Sequence, residues 1–295
     1  MRGTTGTSLS AFVAVLGMAM LLAVTVAAAP EAAAETVRFP VATTPPTPLQ
    51  ERLARERGQS VAVAAPAVEL TGELYRPAGA GPFPAVVSLH GCAGQPSRAS
   101  ADAMGAAYVA LGYALLVVDS FGPRRVAQRC LVEHGAPVDR IMDAYGALLY
   151  LAGLSFIDPD RIAVVGYSQG ADTALGAVKR GGVETQFERK FRAAIAYFPY
   201  CADSYGAVSV PAVVLIGDLD EATPARACRD MMARRSGEGA PLRLVVYPGA
   251  HHSFTAARLR GKPETTYGYR VEYNEAAARA AWDEERAALR EAFGR

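Results

Sequence analysis

The 295-residue chain has little charge imbalance: 30 Lys and Arg stand against 29 Asp and Glu, and no basic block interrupts them. A nucleic-acid partner is therefore not expected. Cysteine is sparse. Its four residues, Cys92, Cys130, Cys201 and Cys228, show no C-x-x-C spacing, which argues against zinc or thioredoxin-like chemistry. There is no internal repeat, no low-complexity block and no Arg-Arg pair near the start of the kind that directs twin-arginine export.

The long apolar run is confined to the N-terminus. "MRGTTGTSLS" carries one Arg and no acid, "AFVAVLGMAMLLAVTVAAA" follows, and small residues occupy positions 32 and 34. That order reads as a secretory signal peptide over residues 1–34. An uncleaved membrane anchor is the alternative, because the run is nearly long enough to span a bilayer. Residues 35–66, proline-rich and then charged, read as an extended N-terminal arm, and 67–295 as one catalytic-sized domain. With the signal removed, no stable membrane association is expected. The destination is periplasmic or extracellular, where an even cysteine count favours two disulfides.

Short apolar runs recur through this domain, each bounded by turn residues: "VELTGELY", "PAVVSLHG", "YALLVVDS", "RIAVVGYS", "RAAIAYFP", "PAVVLIGD" and "LRLVVYPG". The middle five are nearly continuous rather than alternating, which suits strands buried on both faces of a parallel sheet. Helix-like stretches separate them, and the chain closes on "NEAAARAAWDEERAALREAFGR". Strand and helix in alternation predict an α/β fold: a doubly wound, mostly parallel sheet with helices on both faces. Only a short loop separates "AAIAYFP" from "PAVVLIG", so no large cap domain is expected over the site.

Functional loops in such sheets leave the C-terminal strand ends. "RIAVVGYSQGADTAL" places Ser168 in Gly-x-Ser-x-Gly, after a strand and before a helix. That is the context of a nucleophile elbow. Asp218 and Asp220 follow "AVVLIG", and His251 and His252 follow "LVVYPG". The chain order Ser, Asp, His is that of α/β-hydrolases. Histidine is suited to take the serine proton near neutral pH, and a carboxylate fixes its tautomer. On the residues alone, either aspartate and either histidine fits. Two backbone N–H donors are also needed for the oxyanion, one from Gln169 after the nucleophile and one from the loop His90–Gly94. A metal site of His251, His252 and the two aspartates is disfavoured, because adjacent loop histidines rarely converge on one ion. No cofactor is called for.

Together "LHGCAG", "VVDSFGPR", "DPDRIAVVGYSQG", "LIGDLDEATPARAC" and "VVYPGAHHSF" resemble the dienelactone hydrolase family of α/β-hydrolases, over roughly Val68 to Phe254. The resemblance implies Ser168 as nucleophile, Asp220 as the acid, His252 as the base and the Cys92 N–H as the second oxyanion donor. Dienelactone hydrolases proper carry cysteine where this chain has serine, so ordinary ester hydrolysis is expected instead. Arg124, Tyr167 and His251 are candidate substrate contacts, and a guanidinium at Arg124 would suit a substrate carboxylate. The α/β-hydrolase strand order places the third strand beside the fourth and the sixth beside the seventh. It thereby predicts the disulfides Cys92–Cys130 and Cys201–Cys228.

The reading is an exported serine hydrolase that cleaves small or soluble carboxylic esters through an acyl-serine. Lactone or small-peptide hydrolysis on the same triad is the alternative. From another class, so is a catalytically silent hydrolase fold used for binding.

Overall fold

The computed structural model describes residues 34–44, 46, 48–60, 68–130, 139–201 and 206–294, together with 1–3 and 6. The expected signal peptide lies almost wholly outside the described residues. No helix among the described residues is long and apolar enough to cross a membrane.

Eight strands form one sheet: β1 (Glu35–Pro40), β2 (Glu69–Tyr75), β3 (Phe83–Leu89), β4 (Ala114–Asp119), β5 (Ile157–Tyr167), β6 (Ala194–Tyr197), β7 (Ala212–Gly217) and β8 (Leu242–Tyr247). Their order is β1-β2-β4-β3-β5-β6-β7-β8. The first two strands join antiparallel, and every pair from β4 onward is parallel. Residues of β7 are buried throughout, as are all but the first of β3. Strands covered on both faces have no solvent side, which explains their unbroken apolar sequence.

The helices are α1 (Pro48–Glu56), α2 (Arg98–Ala110), α3 (Arg140–Ala152), α4 (Gln169–Ala177), α5 (Ala225–Ala233) and α6 (Glu275–Phe293). On one face α2 meets α6, where the Tyr108 ring packs edge-on against Trp282 at 5.3 Å. On the other, α3 meets α4, and the Tyr145 hydroxyl donates to the Ala177 carbonyl at 2.9 Å. Side-chain caps mark the starts: Ser97 accepts from Ser100 N, Asp139 from Met142 N and Asn274 from Ala277 N. Each satisfies one of the backbone donors that a helix leaves open.

The extended arm expected over residues 35–66 needs correction. Glu35–Pro40 is the edge strand β1, paired with β2 from Glu35↔Leu74 to Pro40↔Glu69. Val37 and Phe39 alternate into the core, and Phe39 stacks on Tyr150 at 5.3 Å. The sheet domain therefore begins at Glu35 rather than 67. A hairpin of β9 (Glu264–Thr266) and β10 (Tyr269–Val271) was also not anticipated. Val271 bridges to His252, so the hairpin braces the histidine loop.

Candidate active site

The elbow forms because β5 must turn into α4 without room for side chains. An added Cβ at Gly166 would lie 2.0 Å from the Gly170 carbonyl oxygen, and one at Gly170 would lie 2.2 Å from that of Leu89. Both approaches are far below van der Waals contact, so only glycine serves on either side. Ser168 itself sits at φ 52° and ψ −121°. A non-glycine residue there stores on the order of 1–3 kcal/mol of strain. The Ser168 N–H donates to the Tyr197 carbonyl at 2.9 Å, which ties the elbow to β6.

Asp220 leaves β7 and His252 follows β8. His252 Nδ1 lies 2.8 Å from Asp220 Oδ2, and His252 Nε2 lies 3.1 Å from Ser168 Oγ. A carboxylate only accepts, so Nδ1 carries the proton and Nε2 is free to accept from the serine hydroxyl. The Asp220 side chain is wholly buried. Its charge is met by the Thr223 N–H at 2.8 Å and the Thr223 hydroxyl at 3.0 Å. Thr223 was not singled out from the sequence, although Asp-x-x-Thr is a recognisable side-chain-to-backbone turn signal. Phe198 packs edge-on against the His252 ring at 4.8 Å.

The rival residues lie elsewhere. Asp218 accepts from the Gly249 N–H at 2.7 Å and caps that turn. His251 Nε2 stands 3.9 Å from Glu272 Oε2, with no bond to Ser168.

The loop after β3 passes over the serine: a Cβ on Gly91 would meet Ser168 Cβ at 3.4 Å. The Cys92 carbonyl accepts from Arg129 N at 2.8 Å, and Cys92 is bonded to Cys130. Gln169 is the first residue of α4, where an N–H has no carbonyl within the helix to meet. A second bridge joins Cys201 to Cys228. Both bonded pairs are those that the strand order predicts.

In the loop after β3, His90 Nδ1 donates to the Gly91 carbonyl at 2.7 Å, and its Nε2 accepts from Ser120 N at 3.3 Å. Burial, and then the charge of Arg140, push its pKa down to about 4, so the ring is neutral near pH 7. Two substrate candidates are corrected here. Arg124 gives both terminal nitrogens to buried Asp143, at 2.7 and 2.9 Å, and one also donates to the Ser120 carbonyl. That guanidinium is already forked onto a carboxylate and is not open to a second. The Tyr167 ring stacks on Tyr197 at 5.0 Å, and burial, with the nearby Glu285 charge adding to it, holds its phenol well above its usual pKa. Only part of the Tyr167 surface remains for a substrate.

Asp172, one helical turn beyond Ser168, was also missed. The N–H groups of Tyr200 and Cys201 point at its carboxylate, the first at 3.0 Å. Burial lifts its pKa to about 6. Among the described residues, no group of three or more His, Cys, Asp or Glu is arranged to hold a metal ion.

The dienelactone hydrolase family model matches residues 70–293, the greater part of the chain. The chain belongs to the dienelactone hydrolase family. The solved structure of m3DLH superposes with a TM-score of 0.63 at 19% identity, covering 88% of this chain and 98% of that one. Thermogutta terrifontis esterase 2, solved after phosphorylation by paraoxon, gives 0.58 at 18% identity, covering 77% and 90%. These likenesses establish the α/β-hydrolase fold. An uncharacterised Mycobacterium tuberculosis protein is 28% identical over 207 residues, 63% of this chain and 69% of its own.

Proposed function

We propose that the chain is a serine esterase that hydrolyses small, neutral carboxylic esters through an acyl-serine. The observation that carries the reading is the continuous relay from buried Asp220 through His252 to Ser168 Oγ, at 2.8 and 3.1 Å, on a strained elbow. Ser168 Oγ attacks the ester carbonyl carbon as its proton passes to His252 Nε2. Asp220 stabilises the imidazolium so formed. The N–H groups of Cys92 and Gln169 receive the oxyanion. Collapse expels the alkoxide, which takes the proton from His252, and water then repeats the sequence on the acyl-serine.

Neutral substrates are favoured because Arg124 is committed to Asp143. Small ones are favoured because the β6–β7 connection runs only from residue 198 to 211. Two disulfides and the N-terminal apolar run support export to an oxidising compartment.

Labelling with a fluorophosphonate or with paraoxon tests the nucleophile. Wild type should gain one adduct at Ser168 and lose ester turnover in proportion, and a protein that neither labels nor turns over esters refutes the reading. A panel of esters with and without a free carboxylate then tests the preference, and the carboxylate-bearing members should be the poorer substrates.

A further inference from the structure

Arg140, the first residue of α3, is only 6% exposed, and its guanidinium is turned towards the two segments expected to carry the oxyanion donors. Nη2 donates to the His90 carbonyl at 2.7 Å, and Nη1 donates to Gln169 Oε1 at 3.3 Å. The Phe121 ring covers it at 5.2 Å. Its Nε has no hydrogen-bond partner among the described residues. Burying a cation without full pairing is expensive, so the site tolerates a cost that a structural arginine would normally avoid.

Nor is the charge cancelled locally. Asp143 is the nearby carboxylate, and it is held bidentately by Arg124, so two guanidiniums share one negative charge. Burial and the Arg124 charge bring Arg140 down to about 10 while Asp143 works against both, which leaves it cationic at neutral pH. Neutral His90 adds no second charge but completes the support, holding its own loop through Gly91 and Ser120.

We propose that Arg140 is a positioning residue for the oxyanion hole, clamping the His90–Cys92 loop to Gln169 and placing a buried positive charge beneath the developing oxyanion. The inference rests on the esterase reading. The clamp fixes the relative placement of two backbone N–H donors, one in the loop after β3 and one at the start of α4. The charge favours the tetrahedral intermediate over the neutral ground-state ester, because a dry site screens it little. The effect should therefore fall on kcat rather than on KM.

The experiment compares wild type with Arg140→Met and Arg140→Lys, using an activated acetate ester and a trifluoromethyl ketone that forms a tetrahedral adduct on serine. Rates are normalised to active sites titrated with a fluorophosphonate, so misfolded protein does not count. Arg140→Met should lose roughly 10- to 100-fold in kcat, with KM changed less than about threefold and ketone affinity falling in parallel with kcat. Arg140→Lys, which keeps the charge but not the fork, should fall between the two. If Arg140→Met does not fold, the lysine variant carries the test alone. Wild-type kcat and wild-type ketone affinity per titrated site, in whichever variants fold, would overturn the role. Failure of wild type itself to label would instead refute the esterase reading and leave the two failures distinguishable.

Discussion

The two sides of Ser168 are built from opposite materials. On the β6–β8 side, a buried carboxylate faces a histidine, with Thr223 donating to the acid. On the β3–β4 side, a buried guanidinium faces a histidine, and Asp143 is already taken by Arg124. His252 is thereby placed to accept and pass on a proton, whereas His90 is held neutral as a spacer. The same side chain differs because burial, and then the Arg140 charge, keeps His90 neutral, whereas His252 is oriented by the Asp220 carboxylate towards Ser168. Each side is also fastened by its own disulfide, Cys201–Cys228 on the first and Cys92–Cys130 on the second.

The largest expected effect removes the point at which the sides meet. Ser168→Ala should cost about 10⁴-fold or more in kcat/KM while leaving the fold intact by circular dichroism. On the relay side, His252→Ala should lose nearly as much, and Asp220→Asn roughly 10³- to 10⁴-fold, because the amide leaves the imidazole in the wrong tautomer. His251→Ala and Asp218→Asn should cost less than about tenfold, since neither side chain bonds to the relay. Equal losses at His251 and His252 in steady-state rates would mean that the base is wrongly assigned.

The disulfides separate stability from placement. The closed loops span 38 and 27 residues, worth about 3–4 kcal/mol each by the chain-entropy model. Cys92→Ala with Cys130→Ala should lower both the melting temperature and kcat, because the bridge ends on the residue expected to supply an oxyanion donor. Cys201→Ala with Cys228→Ala should lower the melting temperature similarly, with the smaller loss of kcat. The reverse ranking would show that the relay side, not the oxyanion side, depends more on its bridge.

Much of this architecture is legible from local sequence. Continuous apolar runs mark the parallel strands, and Gly-x-Ser-x-Gly between a strand and a helix marks the elbow, since both properties depend on near neighbours alone. The edge strand β1 is harder to see. Its signal is a brief alternation at Val37 and Phe39 amid prolines, and only pairing with β2 makes it a strand. Arg124 and Arg140 are harder still. Nothing local distinguishes an arginine that will fork onto Asp143 from one left for a substrate, because the partner is on another helix. Buried polar contacts between distant elements are tertiary facts, and they decide here which charged groups remain free.

The smallest expected effect sharpens the comparison through pH. His90, with its folded pKa lowered to about 4 against an ordinary 6.5, prefers to be neutral in the folded state. Its contribution is present above pH 6.5 and is lost as pH falls through 4, so on its own it makes stability rise with pH across that window. Asp172 on the relay side is raised to about 6 from 3.8 by burial, and its contribution runs the other way. It is complete below pH 3.8 and lost as pH rises through 6. Glu285, buried under Tyr108 and Tyr197 beneath the elbow, is raised to about 7 by burial and acts like Asp172, losing its contribution between 4.5 and 7. Each is on the order of 3 kcal/mol, and between pH 4.5 and 6 the one rising slope of His90 faces the two falling slopes of Asp172 and Glu285, which leaves a net decline. Urea midpoints measured from pH 4 to 8 should therefore fall for wild type between about pH 4.5 and 6, level off briefly near 6–6.5 and fall again towards pH 7. His90→Gln should decline more steeply than wild type, from pH 4 to about 7. Asp172→Asn should instead be nearly flat between about pH 4.5 and 6.5, where His90 and Glu285 offset each other, and Glu285→Gln should be nearly flat up to pH 6 with no decline above it. Parallel curves for His90→Gln and Asp172→Asn would show that the two sides do not carry opposite electrostatic designs.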